Sequence, residues 1–104
     1  MTPADAKRIL LARRKELAGE LDRIEDALDE PAPKDWEDAA SERQGDEVLE
    51  AMGAQDQTEI RAINAALGRI EDGSYGICVK CGNDILPARL AAVPTAALCR
   101  HCAR

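Results

Sequence analysis

Apolar positions in the first quarter of the chain recur at Leu10, Leu17, Leu21, Ile24 and Leu28, in steps of seven, four, three and four. That is the spacing of a helix face that pairs with another helix. It predicts a helix from about residue 3 to 29, with Thr2 as N-cap and Pro3 at the first helical position, where a missing N–H costs nothing. Arg14 falls within the seam, and its long stem is expected to carry the guanidinium outward to water. The run EPAPK, residues 30–34, stops the helix, because two prolines in three residues remove donors and force their predecessors into extended geometry.

Asp35 then caps a second helix, with Asp38 and further acids in its first turns, where the helix dipole favours negative charge. This helix is predicted to run to about residue 72 and to end at Gly73. Its stripe is Leu49, Met52, Ile60, Ile63, Leu67 and Ile70. Two long helices joined by a short proline-containing turn are antiparallel neighbours. The second is longer, so Ile63, Leu67 and Ile70 are expected to be covered partly by the C-terminal segment and partly by the turn around Ile9 and Leu10. The polar stretch GAQDQTE, residues 53–59, contains a helix-interior glycine and is expected to weaken or bend the helix.

The last quarter of the chain carries all four cysteines: Cys78 and Cys81, seventeen intervening residues, then Cys99 and Cys102. Two C-x2-C knuckles at that separation read as a four-thiolate site for one structural Zn2+. Two disulfides are a competing reading, but MTPADAKRILLARRKEL has charges where a secretory signal would have an apolar core. A redox-active C-x-x-C would need only one pair and normally opens a helix in a βαβ unit. His101 lies within the second knuckle and, with four thiolates present, reads as a solvated residue. The fold class is therefore mainly α: an antiparallel two-helix coiled-coil hairpin, residues 1–74 with its tip at 30–40, followed by a four-Cys zinc finger, residues 75–104.

Composition supports a thin seam rather than a thick core. With one Trp, one Tyr and no Phe in 104 residues, the chain suits long helices stapled by a metal. No apolar run approaches the roughly 20 residues needed to span a bilayer, so a cytoplasmic location with no membrane partner is expected. Charge is uneven: residues 1–33 net −2, residues 34–53 net −5, residues 54–75 net −2 and residues 76–104 net +3, for a total of −6. Nucleic-acid affinity comes mainly from lysines and arginines releasing counterions, so direct DNA binding is not expected. Lys80, Arg89, Arg100 and Arg104 keep a nucleic-acid-binding zinc ribbon as an alternative, alongside a structural zinc adapter. An enzyme is not expected, since the metal site is saturated by protein and no nucleophile–base pair or phosphate-cradling loop is present.

The predicted tip reads DWEDAA, residues 35–40, and holds the only Trp beside three acids. Simple helix capping accounts for the acids; Trp36 is either packed under the hairpin end or held out as an anchor. Together with the finger, YGICVKCGNDILPARLAAVPTAALCRHC, residues 75–102, this tip resembles the DksA/TraR family of bacterial transcription factors. DWEDAA is similar to that family's D-x-x-D-x-A motif, with Asp35, Asp38 and Ala40 in place, and forty positions separate Asp38 from Cys78.

The resemblance implies a regulator that binds RNA polymerase directly, without contacting DNA. It would insert the hairpin into the secondary channel so that Asp35, Asp38 and Ala40 act near the active centre on open-complex stability. Entry into a channel suits a monomer. Longer members carry an N-terminal extension and a C-terminal helix, and contacts through those are not expected here. They also co-bind the alarmone ppGpp through basic residues of the second helix. The corresponding positions here, Gln55, Glu59 and Ala62, are not basic, so ppGpp synergy is expected to be weak or absent.

Overall fold

A computed structural model describes residues 1–28 and 36–103, with the backbone alone for residues 36–44. Its helices are α1, Pro3–Leu28; α2, Trp36–Asp72; and α3, Pro87–Ala92. Among the described residues the only strand-like pairing is one antiparallel bridge between Ile77 and Asp84. The protein is mainly helical, and α1 and α2 run antiparallel. Arg14 meets Asn64, whereas Leu21 and Ile24 lie beside Gly53, so register on one helix rises as it falls on the other.

The helix ends follow from their local chemistry. At the start of α1, Thr2 Oγ1 accepts a hydrogen bond from the Asp5 N–H at 3.1 Å, and Asp5 Oδ2 accepts one from the Thr2 N–H at 3.5 Å. That reciprocal pair is a capping box with Asp in place of Glu. It holds the Asp5 carboxyl below its ordinary pKa, chiefly through the hydrogen bonds with Thr2. At the end of α2, Gly73 adopts φ +82°, and the N–H groups of Ser74 and Tyr75 both donate to Arg69 O, at 2.9 and 3.1 Å. Only glycine reaches that conformation without a Cβ penalty, so the chain turns out of the helix there.

Contacts divide the chain into two compact units, residues 1–14 with 61–104, and residues 15–60. In the first, Ala6 and Leu10 of α1 and Ile63 and Ala66 of α2 are buried. Ile9, expected among the covering residues, is 40 % exposed; Leu10 and Ala6 are buried instead. Arg14 also departs from expectation. It is half-buried, and Nη1 donates to Asn64 Oδ1 at 2.8 Å, which ties the two helices together at a seam position.

In the second unit, Leu17 and Ile24 are buried on α1, and Gly53 and Asp56 on α2. Met52, assigned to the stripe from its apolarity, is 39 % exposed. The seam of α2 runs instead through Leu49, Gly53, Asp56, Ile60, Ile63, Leu67 and Ile70, in alternating steps of four and three, all buried or half-buried. Residues 53–59 are unbroken α-helix. Gly53 serves packing: a Cβ there would lie 3.7 Å from Leu21 Cδ2 and 3.8 Å from Ile24 Cγ2.

Candidate metal centre

After Gly73 the chain forms a small platform for the first cysteine pair. Ile85 donates to Gly76 O at 2.7 Å and Cys78 to Asn83 O at 2.8 Å, closing a narrow hairpin around residues 79–82. Gly82 donates to Cys78 O at 2.9 Å and adopts φ +77°, a left-handed turn that brings Cys81 back beside Cys78. The second knuckle is built alike: Cys102 and Ala103 both donate to Cys99 O, at 3.1 and 3.0 Å. α3 connects the two, with Pro87 in its first turn and Leu90 buried toward Cys78, Ile85, Ala96 and Cys99.

The segment delivering Cys99 has no regular structure, yet its carbonyls are satisfied one by one. Tyr75 Oη donates to Pro94 O at 2.9 Å, Arg69 Nη2 to Thr95 O at 3.2 Å, the Val79 N–H to Ala97 O at 2.9 Å, and Arg89 Nε to Leu98 O at 3.0 Å. The sequence pattern alone gives Arg69 and Tyr75 no role and marks Arg89 as a finger base within an Arg-Leu pair. The available signal was Tyr75 beside the first knuckle and the Arg-Leu pair inside the finger.

The four Sγ atoms all lie within 4.8 Å of one another, and no other group of three or more potential ligands occurs among the described residues. Cys81 Sγ and Cys99 Sγ are 3.7 Å apart. That is too far for a disulfide, about 2.05 Å, and close to the edge of roughly 3.8 Å that Zn–S bonds of about 2.3 Å give a tetrahedron. The donor set therefore fits one closed, four-coordinate Zn2+, with no position left for substrate. His101 is exposed and lies outside the ligand set.

Backbone amides prepare the sulfurs unequally. Cys78 is lowered to about 6 by N–H groups of Cys99, Cys81 and Lys80, and Cys99 is lowered by that of Cys102. Cys102 is raised to about 12 by its hydrogen bond with Cys99, by burial and by the other sulfurs around it. Four adjacent thiolates repel one another, so all four ionise together only around a dication.

The expected tip residues are placed less fully. Asp35 lies outside the described residues; Asp38 and Ala40 are in the first turns of α2, and their side chains lie outside the described ones. Of the positions considered for ppGpp, Gln55 is exposed, while Glu59 and Ala62 are half-buried. Charge follows the structural division sharply. Residues 15–60 hold 16 acids and 4 bases, a net −12, whereas residues 1–14 with 61–104 hold 4 acids and 10 bases, a net +6. No described helix is long and apolar enough to cross a membrane.

Comparison with known proteins bears on both parts. Residues 7–70 match the DnaK suppressor protein-like N-terminal domain, and residues 73–104 the prokaryotic dksA/traR C4-type zinc finger. The RNA polymerase-binding transcription factor DksA of Escherichia coli K12 is 36 % identical over 104 residues, covering 95 % of this chain and 67 % of that protein. Transcription factor DksA2 from Pseudomonas aeruginosa superposes with a TM-score of 0.82 at 28 % identity, over 97 % of this chain and 79 % of that one. The DnaK suppressor protein of Agrobacterium tumefaciens C58 gives a TM-score of 0.68 at 48 % identity, over 99 % and 92 %. Curated relatives are matched over about half (49 %) to two thirds (67 %) of their length. The C4 zinc-finger match and the sulfur geometry together assign a single structural Zn2+ to Cys78, Cys81, Cys99 and Cys102.

Proposed function

Because the chain belongs to the DksA/TraR family of C4 zinc-finger proteins, we propose that it is a cytoplasmic transcription regulator that binds RNA polymerase directly. The observation that carries this reading is the 95 % coverage of the chain by a relative named for polymerase binding. The hairpin enters the secondary channel as a monomer, and Asp35, Asp38 and Ala40 act near the active centre to alter open-complex stability. The −12 charge of residues 15–60 supports insertion among basic groups or near a catalytic cation, since complementary charge favours orientation and encounter.

The protein is not an enzyme in this reading and makes no direct DNA contact. Four bases against one acid give residues 76–104 only a net +3, little for gripping a phosphate backbone, which weakens the case for a nucleic-acid-binding ribbon. Synergy with ppGpp is weak or absent, because Gln55, Glu59 and Ala62 offer no cationic partner to a phosphate.

The test is Asp38→Asn, measured beside the wild type for core-polymerase binding and for open-complex lifetime. Binding should persist while the effect on lifetime is lost. Unchanged regulation removes the tip assignment, and absence of polymerase binding by the wild type removes the function.

A further inference from the structure

Beside the metal centre the finger carries a cavity of about 430 Å3, within the size range of ordinary ligand sites. Its apolar part is formed by Leu86, Ala92 and Val93. Leu86 is 56 % exposed and Val93 43 % exposed, and they flank α3 at its two ends. Leu86 precedes Pro87, which restricts it to extended geometry, and Val93 donates its N–H to Arg89 O at 2.7 Å. Two large aliphatic side chains thus stand open to water at the two ends of α3, where the zinc centre does not use them.

Two arginines, Arg89 and Arg100, line the rim with His101 beside them, against a single acid, Asp84. Arg89 is oriented by its Nε bond to Leu98 O, and Arg100 and His101 are exposed on the second knuckle. The surrounding unit is +6, and the −2 of a zinc tetrathiolate still leaves it at +4. Two arginines that present paired N–H donors suit carboxylates.

We propose that this groove binds an acidic protein segment through one leucine-sized side chain, which enters between Leu86 and Val93 while a flanking carboxylate pairs with Arg100 and Arg89. A nucleic acid fits less well. No Phe, Tyr or Trp lines the cavity for base stacking, its one ring being the exposed imidazole of His101; Tyr75 is tied to Pro94 O, and two arginines give only a small counterion gain. A free inorganic anion would leave Leu86 and Val93 uncovered. The proposal is independent of the polymerase reading, since it concerns a different surface and is read without polymerase.

The zinc-loaded full chain is titrated with a fluorescein-labelled ten-residue peptide of two central leucines flanked by glutamates, by anisotropy and by amide chemical shifts. Saturable binding with a Kd of about 10–100 μM is expected, with shifts at residues 83–86, 89–93 and 99–101. Replacing the leucines by serine, or the glutamates by lysine, should weaken binding at least about tenfold. Leu86→Ser and Arg100→Glu should do the same with zinc content unchanged, and Arg100→Glu should gain affinity for the lysine peptide. No saturation by 1 mM (about −4 kcal/mol), equal binding of the serine peptide, shifts confined to α1 and α2, or displacement by a 20-base-pair duplex would each overturn the proposal.

Discussion

Asp56→Ala should stabilise the protein, although it truncates a buried residue. Asp56 is 8 % exposed at a seam position of α2, and its Oδ2 is buried with no hydrogen-bond partner among the described residues. A buried acceptor without a partner costs about 1–3 kcal/mol. Alanine removes that cost and adds roughly 0.5 kcal/mol of helix propensity. Against this stands the space left by the carboxylate, worth about 1 kcal/mol for so small a deletion. The net gain is about 0.5–2.5 kcal/mol, or a rise in Tm of roughly 2–15 °C for a chain of this size. The assay is thermal and urea unfolding of the zinc-loaded protein, followed by circular dichroism at 222 nm. Leu17→Ala, a truncation in the same unit at a fully buried position, supplies the contrast and should cost about 2–5 kcal/mol. If Asp56→Ala is destabilised by more than about 1 kcal/mol, the carboxylate is compensated in solution and the reasoning fails.

Gly53→Ala should stabilise by about 0.5–1 kcal/mol, because the new Cβ meets Leu21 and Ile24 at ordinary contact distances of 3.7 and 3.8 Å; a loss in urea unfolding would show that the helices need closer approach. Tyr75→Phe removes the bond to Pro94 O and should cost about 0.5–1.5 kcal/mol, with faster zinc release to a chromogenic chelator; an unchanged release rate would show that the bond does not support the knuckle. Asp5 should titrate below its ordinary value of 3.8 because Thr2 stabilises its charged form. Its contribution to stability is therefore present above that value and lost as pH falls through the lowered folded pKa. Thr2→Ala should bring the Asp5 titration, followed by carbon NMR of the carboxyl, back upward, and identical curves would remove the capping assignment.

The legible parts of this fold are those in which residue type alone carries the constraint. Thr2 and Pro3 mark the start of α1, and Gly73 the end of α2, because few other residues suit those backbone positions. The four cysteines announce the metal because two C-x2-C knuckles at that separation suit one tetrahedral thiolate site. Between residues 49 and 60 the seam of α2 is less legible, for the converse reason. A search for apolar residues passes over Gly53 and Asp56 and selects Met52, yet the alternation of four and three through Leu49 and Ile60 places the helix face at 53 and 56. Periodicity was the sounder guide there, and hydrophobicity the weaker one. Arg14 shows the same limit: its cross-helix bond to Asn64 depends on register, which no single-helix pattern contains.

What the sequence could not show is how the second knuckle is held, since that depends on backbone carbonyls, which have no residue identity. The carbonyls of Pro94, Thr95, Ala97 and Leu98 each accept a donor from outside their segment: Tyr75, Arg69, Val79 and Arg89. Irregular backbone so near a metal would otherwise carry unsatisfied acceptors away from water. The arrangement couples two things that look separate in the sequence. Arg69 stands in the last turn of α2, and its own O accepts from Ser74 and Tyr75 where the chain leaves the helix. One residue therefore both accepts the bonds that close the helix and grips the segment that carries Cys99. Zinc binding, which needs Cys99 in place, consequently stabilises the end of α2 as well as the finger. Metal loss should then be felt in amide exchange at residues 66–75, not only between the cysteines.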